Sequence, residues 1–315
     1  DILEPHYVNG FTMQIDILFI NKSHLLNILV QKRLQKPHLQ LSDIKKPSST
    51  QKTVAFISNK LTLRGTEVAI YDYAHYNETI LGNRSIIITR DINRIRHEYD
   101  VDQQAYTKFL SRFKVCYYYN LTDIDKIVAD NEIDYLFIEK AGAKTDGILS
   151  TRCKNIIHCV FNTSEPHGDI FTTVGQTVNN NYKTNVPVFP CIIQMPLIDT
   201  NDNMRAELGI PEDAIVFGRY GGRETFDIKF VHQAITEIIS IRKDIYFIFM
   251  NTNPFAIHPQ IKYLPGTTDM IIKRRFINTC DALIHARKDG ETFGLTCGEF
   301  AICGKPVITW GGSRE

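Results

Sequence analysis

From Thr53 onward, short apolar runs alternate with longer stretches whose apolar residues return every three or four positions. The runs at 53–58, 85–89, 115–119, 134–138 and 156–161 are continuously apolar rather than alternating, a pattern that predicts strands buried on both faces, as in a parallel sheet. Between the first two, residues 65–81 bring Ala69, Tyr73, Tyr76 and Ile80 onto one helical face and stop at Gly82-Asn83, which completes a βαβ unit. A proline-punctuated stretch, Val186-Pro-Val-Phe-Pro190 and Met195-Pro196, has the extended character of a linker. The same grammar then restarts: a strand at 214–218, a helix with Phe230, Ala234, Ile238 and Ile241 on one face, strands at 245–250 and 261–264, a helix at 269–279, a strand at 282–285, a helix carrying Glu299, and a strand at 306–310.

This pattern predicts an α/β protein of two Rossmann-like doubly wound domains, with a ligand in the cleft where strand C-termini meet helix N-termini. The expected divisions are an N-terminal extension and linker (1–50, with one apolar strand at 15–20), a first domain (51–190) and a second (191–315). The chain lacks an initiating Met and stops just past the last strand, so the second domain is expected to be incomplete and the chain to be part of a larger polypeptide.

Composition narrows the classes. Of 315 residues 43% are hydrophobic and 23% charged, with 36 Lys+Arg against 35 Asp+Glu, values of a folded globular protein with no excess charge for a nucleic-acid backbone. The longest apolar runs are strand length, far short of the roughly 20 residues of a transmembrane helix. Seven scattered cysteines, an odd number in apolar surroundings, read as reduced thiols in a reducing, cytoplasmic compartment. Cys153, His158 and Cys159 fit no zinc spacing, and His158 alternates within a strand-like run. The triplets Asp100-Val-Asp102 and Asp123-Ile-Asp125 are the other metal candidates, but the second lies in a helix-like stretch and reads as a solvated helix face.

The most informative segment is Arg287-Lys-Asp-Gly-Glu-Thr-Phe-Gly-Leu-Thr-Cys-Gly-Glu-Phe300, where Glu291 and Glu299 stand eight positions apart. It reads as a strand exit, a glycine turn and a short helix from about Phe293 to Cys303-Gly304, whose start offers unpaired N–H groups and a positive dipole end to an anion. Carboxylates beside it are suited to accept hydrogen bonds from sugar hydroxyls.

This segment resembles the E-x7-E motif of GT-B retaining glycosyltransferases of the large family-4 type, and Lys305-Pro306-Val-Ile after it agrees. The resemblance implies that Glu291 contacts the donor sugar and Glu299 the ribose, with Gly290, Thr292, Phe293, Gly294 and Leu295 around the diphosphate. It extends to Gly218-Arg219, where the family has a strand followed by Gly-Arg and then a Lys, two cations holding the diphosphate. Here Thr225 stands at the Lys place, so Arg223, or less favourably Lys229, is the second cation. By the same resemblance Leu264 lies where the nucleobase binds. The loop Leu61-Thr-Leu-Arg-Gly-Thr-Glu67 brings Gly65 and Thr66 toward the donor phosphates, and His167, with Glu165 and Asp169 nearby, lies near the reacting sugar.

The implied activity is hexosyl transfer, with retention, from a UDP- or GDP-sugar as substrate to a hydroxyl acceptor such as a glycan. It calls for no cofactor and no metal, because the helix start and two arginines carry the charge. The alternatives are another GT-B chemistry, an epimerase or phosphorylase, or a non-catalytic GT-B module; a dinucleotide oxidoreductase is disfavoured because no G-x-G-x-x-G follows the first strand.

Overall fold

The computed structural model describes residues 51–91, 102–146 and 148–313. The expected extension at 1–50, with its strand at 15–20, and the first two positions of the Asp100 triplet lie outside the described residues. Contacts divide the described chain into two compact units: one runs up to Ile193 and includes Glu291–Leu295, and the other comprises Gln194–Gly290 and the residues from Thr296 on.

The first unit is a sheet of six parallel strands, β1 (Thr53–Ser58), β2 (Arg84–Arg90), β3 (Lys114–Tyr118), β4 (Tyr135–Lys140), β5 (Lys154–Cys159) and β6 (Ile170–Thr173), in the order β3-β2-β1-β4-β5-β6. Helices α1 (Gly65–Thr79), α2 (Gln103–Arg112) and α3 (Leu121–Asp130) connect the first four strands, and α4 (Gln176–Tyr182) follows β6. The continuous apolar runs are explained by two cores. Along β1, Val54 and Phe56 pack with Ala69, Ile70 and Tyr73 of α1, while Ala55 and Ile57 pack with Ile124 and Val128 of α3. Because neighbouring side chains leave a strand on opposite faces, a sheet covered on both sides needs apolar residues at every position.

The second unit is a five-stranded sheet of β7 (Ile215–Tyr220), β8 (Ile245–Met250), β9 (Ile261–Leu264), β10 (Ala282–His285) and β11 (Val307–Thr309) in the order β11-β10-β7-β8-β9. Its helices are α5 (Arg205–Leu208), α6 (Lys229–Ile241), α7 (Met270–Thr279) and α8 (Leu295–Ile302). Asp269 caps α7 by accepting from the amides of Ile271 and Ile272, the exchange that makes Asp a favoured helix start.

Two helical faces differ from the sequence pattern. On α6 the buried stripe is Val231, Ala234, Ile235, Ile238 and Ile239, and Ile241 is 68% exposed. Ile241 is the last residue of the helix, past which the chain turns to enter β8, so the stripe is rotated toward the β-branched residues in mid-helix. On α1, Ala69 and Tyr73 are buried as expected, but Ile70 and Ala74 complete the face, with Tyr76 and Ile80 half-buried. The sequence pattern predicts no strand at β6, a four-residue edge strand that begins with Ile170, 45% exposed, and carries little apolar pattern.

Candidate functional site

In each sheet the winding reverses once, between β1 and β4 in the first unit and between β7 and β10 in the second. At such a point the loops from adjacent strands leave for opposite faces and open a ligand crevice at the strand C-termini.

In the second unit the reversal is built on two consecutive residues that leave β7 on opposite faces. Arg219 is buried; its Nη1 donates to Thr252 Oγ1 at 2.5 Å, and its Nη2 donates to Thr225 Oγ1 at 2.5 Å and to the Gly222 carbonyl at 3.1 Å. Its guanidinium lies 5.7 Å from the centre of the Phe226 ring. Thus Arg219 braces the turn after β7 from within. The exposed Arg223 sits on that turn, its Nε 3.3 Å from Asn251 Oδ1, and Asn251 in turn donates to the Gly221 carbonyl at 2.7 Å. Lys229 is exposed at the start of α6.

Tyr220 points the other way, against Phe276 and Phe300, and its hydroxyl donates to Glu299 Oε2 at 2.5 Å. Burial, and then the Glu299 carboxylate, push the Tyr220 phenol well above its usual value. Glu299 is itself buried, 4% exposed, on α8. A carboxylate this deep needs a hydrogen-bond donor, and the phenol supplies one.

The loop from β10 to α8 is shaped by glycines: Gly290 and Gly294 adopt φ of 79° and 80°, a left-handed backbone that costs an L-residue roughly 1–2 kcal/mol. They bracket Glu291, Thr292 and Phe293, all half-buried, with Leu295 opening α8. The loop is tied to the turn after β7, because the Lys288 amide donates to Asp227 Oδ1 at 2.8 Å and the Asp227 amide to the Ala286 carbonyl at 3.3 Å. Leu264 ends β9, half-buried, and its carbonyl accepts from the Asn251 amide at 3.0 Å. The second unit therefore gathers Arg219, Arg223, Gly290 and Glu299 around one reversal of the sheet, with Leu264 two strands away at its edge.

In sequence the chain matches no known protein family and no curated protein. In structure it is similar to a glycosyltransferase from Rickettsia africae ESF-5 (TM-score 0.62, 15% identity, covering 85% of this chain and 81% of that one). It is also similar to HepE of Anabaena, solved with UDP and glucose (TM-score 0.60, 14% identity, 83% and 81% covered), and to WaaG, a glycosyltransferase involved in lipopolysaccharide biosynthesis (TM-score 0.56, 13% identity, 83% and 82% covered). The chain has the GT-B fold.

The first GT-B unit places its candidates differently. Gly65 and Thr66 open α1, the first exposed and the second half-buried, directly before Glu67. Glu67 is buried and accepts from Thr62 Oγ1 at 2.8 Å and Ser58 Oγ at 3.4 Å; burial nonetheless raises its carboxyl above the usual range. Across the reversal, Glu139 near the end of β4 has an oxygen, Oε2, closed off from solvent and without a hydrogen-bond partner. Burial, then the nearby Glu67 charge, raise its carboxyl well above the usual range.

His167 is buried, with Nδ1 2.6 Å from the Glu165 carbonyl and Nε2 3.0 Å from Lys140 Nζ. Asp169 and Glu165 serve the loop: Asp169 Oδ2 accepts from the Asn155 amide at 2.7 Å and Glu165 Oε2 from the Lys144 amide at 2.9 Å.

The remaining metal candidates have structural partners. Asp123 closes a capping box with Asn120 at the start of α3. Asp125 accepts from Ser150 Oγ, Thr151 Oγ1 and the Thr151 amide, which hold its carboxyl below the usual range. Asp102 caps α2. His158 is buried between Tyr73 and Thr172, its pKa lowered by burial to about 4, and all seven cysteines are free thiols. Among the described residues no three His, Cys, Asp or Glu side chains gather as a metal site, and no helix is long and apolar enough to cross a membrane.

Tyr220, Glu67, Glu139 and Lys140 went unnoticed in the sequence because each lies in or beside an apolar element, and a polar residue there is as easily a strand-end or helix residue as a site residue. Glu139-Lys140 ending an apolar run offered the one local signal.

Proposed function

We propose that this chain is a retaining glycosyltransferase that moves a hexosyl group from a UDP- or GDP-sugar to a hydroxyl acceptor such as a glycan. The observation that carries this reading is the loop after β10, where two left-handed glycines lead into α8 and a buried glutamate, Glu299, stands on that helix held by Tyr220. The likeness to HepE, a protein solved with UDP and glucose, supports a nucleotide-sugar ligand, and the resemblance of residues 290–301 to the E-x7-E segment supports retention.

On this reading the donor diphosphate sits at the start of α8 among Gly290, Thr292, Phe293, Gly294 and Leu295, where the backbone N–H groups stabilise negative charge as it develops on the leaving group. Arg219 adds its charge through the turn it braces, and Arg223 is the second cation. Glu291 contacts the sugar and Glu299 the ribose, with the edge at Leu264 left for the base. On the same reading the first unit binds the acceptor, Gly65 and Thr66 are assigned to the donor, and His167 is assigned to catalysis. No metal or cofactor is assigned a step.

Thermal-shift measurements with UDP, GDP, ADP and their sugars test the ligand class, because only a nucleotide that binds the native state raises the melting temperature. Glu291→Gln is expected to abolish sugar transfer while the nucleotide shift persists. Unchanged donor turnover in Glu291→Gln, together with an unchanged nucleotide shift in Arg219→Ala, would sink the assignment.

A further inference from the structure

His167 makes two contacts of fixed polarity. The Glu165 carbonyl, 2.6 Å from Nδ1, can only accept, so Nδ1 carries the proton; the Lys140 ammonium, 3.0 Å from Nε2, can only donate, so Nε2 is an acceptor. One tautomer alone satisfies both.

The surroundings hold the ring in that setting from every side. Gly168 follows His167 with φ of 79°, and a Cβ there would come within 2.7 Å of Ile157 Cγ1, so the turn closes tightly over β5. The turn is pinned by Asp169, whose amide donates to the Asn155 carbonyl and whose carboxylate accepts the Asn155 amide. Phe171 of β6 packs on the imidazole with ring centres 5.5 Å apart. The charged side chains at the turn contact it closely: Glu165 accepts from the Lys144 amide, Asp169 from the Asn155 amide, and Lys140, 8% exposed, reaches the ring.

We infer that Lys140 is a positioning residue: the Glu165 carbonyl takes the Nδ1 proton of His167, and Lys140 occupies Nε2 and sets the direction of the ring. With its Nε2 lone pair taken by an ammonium, His167 is not a resting general base. It serves as an oriented imidazole whose placement depends on a buried cation from the neighbouring strand. The consequence for turnover rests on the glycosyl-transfer reading above; the tautomer does not.

Nitrogen-15 imidazole spectra of the 315-residue chain, with the His167 signals assigned by their loss in His167→Gln, test the inference directly. The expected wild-type result is a pyrrole-type Nδ1 and a pyridine-type Nε2. Because the Glu165 carbonyl still takes the Nδ1 proton, Lys140→Met is expected to keep Nδ1 pyrrole-type and to move the Nε2 resonance, which loses its hydrogen-bond donor, and Lys140→Arg, which keeps a donor, to retain the wild-type pattern. An Nε2–H ring in the wild type overturns the inference, and so does a Lys140→Met spectrum identical to wild type. The wild-type spectrum decides the tautomer even where Lys140→Met fails to fold.

In transfer assays Lys140→Met is expected to lower kcat by about 100-fold, the scale of a misplaced group near reacting atoms, with the nucleotide-induced thermal shift unchanged. A moved Nε2 signal with unchanged kcat removes the positioning role. A wild type with the expected tautomer but no transfer to any hydroxyl acceptor overturns the proposed function and leaves the tautomer standing.

Discussion

Glu299 in the second unit and Glu139 in the first are both carboxylates drawn inward beside the strand pair where a sheet reverses its winding, yet their chemistry differs. Glu299 accepts a 2.5 Å hydrogen bond from Tyr220. Glu139 has an oxygen with no partner and a second buried carboxyl, Glu67, near enough to raise it further. The difference lies in the donors within reach. A phenol at the end of β7 completes one site, whereas the groups interacting with Glu139 are Glu67, Tyr73 and Cys191, the thiol being pushed up to about 12 chiefly by burial and then by Glu139. A hydrogen-bond donor offsets part of the cost of burying a carboxylate; without one, burial favours the protonated form.

Removing the donor that distinguishes Glu299 is the strongest way to break this contrast. Tyr220→Phe leaves a buried carboxylate without that donor and is expected to cost about 1–3 kcal/mol in urea denaturation, the penalty for stranding a buried acceptor. If Glu299→Gln in the Tyr220→Phe background restores nothing, the hydrogen bond is not what supports the carboxylate.

The reverse change is expected at Glu139. Its folded-state pKa is raised above the unfolded value, so the folded form binds the extra proton; the stability this gives is full below the unfolded pKa of about 4.5 and is lost as pH rises toward the folded value. Each pH unit spent in that window costs about 1.4 kcal/mol. Glu139→Gln, which cannot ionise, is therefore expected to raise Tm at pH 8 by at least about 2–4 °C and to match the wild type near pH 4. Melting curves with the same gap at both pH values would show that ionisation is not the cause.

Asp125 supplies the control within the first unit. Its hydrogen bonds from Ser150 and Thr151 depress its pKa, so its contribution is present above the unfolded value and is lost as pH falls through the folded one. Because the side chain is partly in solvent, Asp125→Asn is expected to cost less than about 1 kcal/mol at pH 7 and to lose its effect as pH falls through the folded-state value. A larger effect than that of Tyr220→Phe would mean that burial does not set the scale.

The strands were legible because a parallel sheet covered on both faces demands uninterrupted apolar runs, and β1, β8, β9 and β10 begin and end where the pattern places them. The short edge strand β6 was not legible, since Ile170-Phe-Thr-Thr173 has one exposed end and two threonines, and its pairing with β5 is a long-range choice. On α6 the sequence pattern and the buried face differ by a step, because the isoleucines around the helix offer more than one stripe and the sheet beneath selects one. In the candidate site, the glycines at 290 and 294 were readable as a turn, and their left-handed φ gives that reading its reason. The partners of Arg219 were not readable, because Thr225 is six residues away and Thr252 comes from the end of the next strand.

By itself, then, the sequence determined two α/β units, most of their strands to within two residues, and a glycine-bracketed loop leading into a short helix with glutamates on either side of its start. These are local facts: apolar periodicity, backbone handedness and helix capping act within a few residues. Tertiary structure alone decided which charged side chains are held and by what. It set Glu299 on Tyr220, Arg219 on two threonines, His167 between a carbonyl and Lys140, and left Glu139 with an unpartnered oxygen. The state of a buried polar group depends on which donors the fold brings within about 3 Å, and residues that meet at that distance are separated along this chain by intervals that no local pattern records.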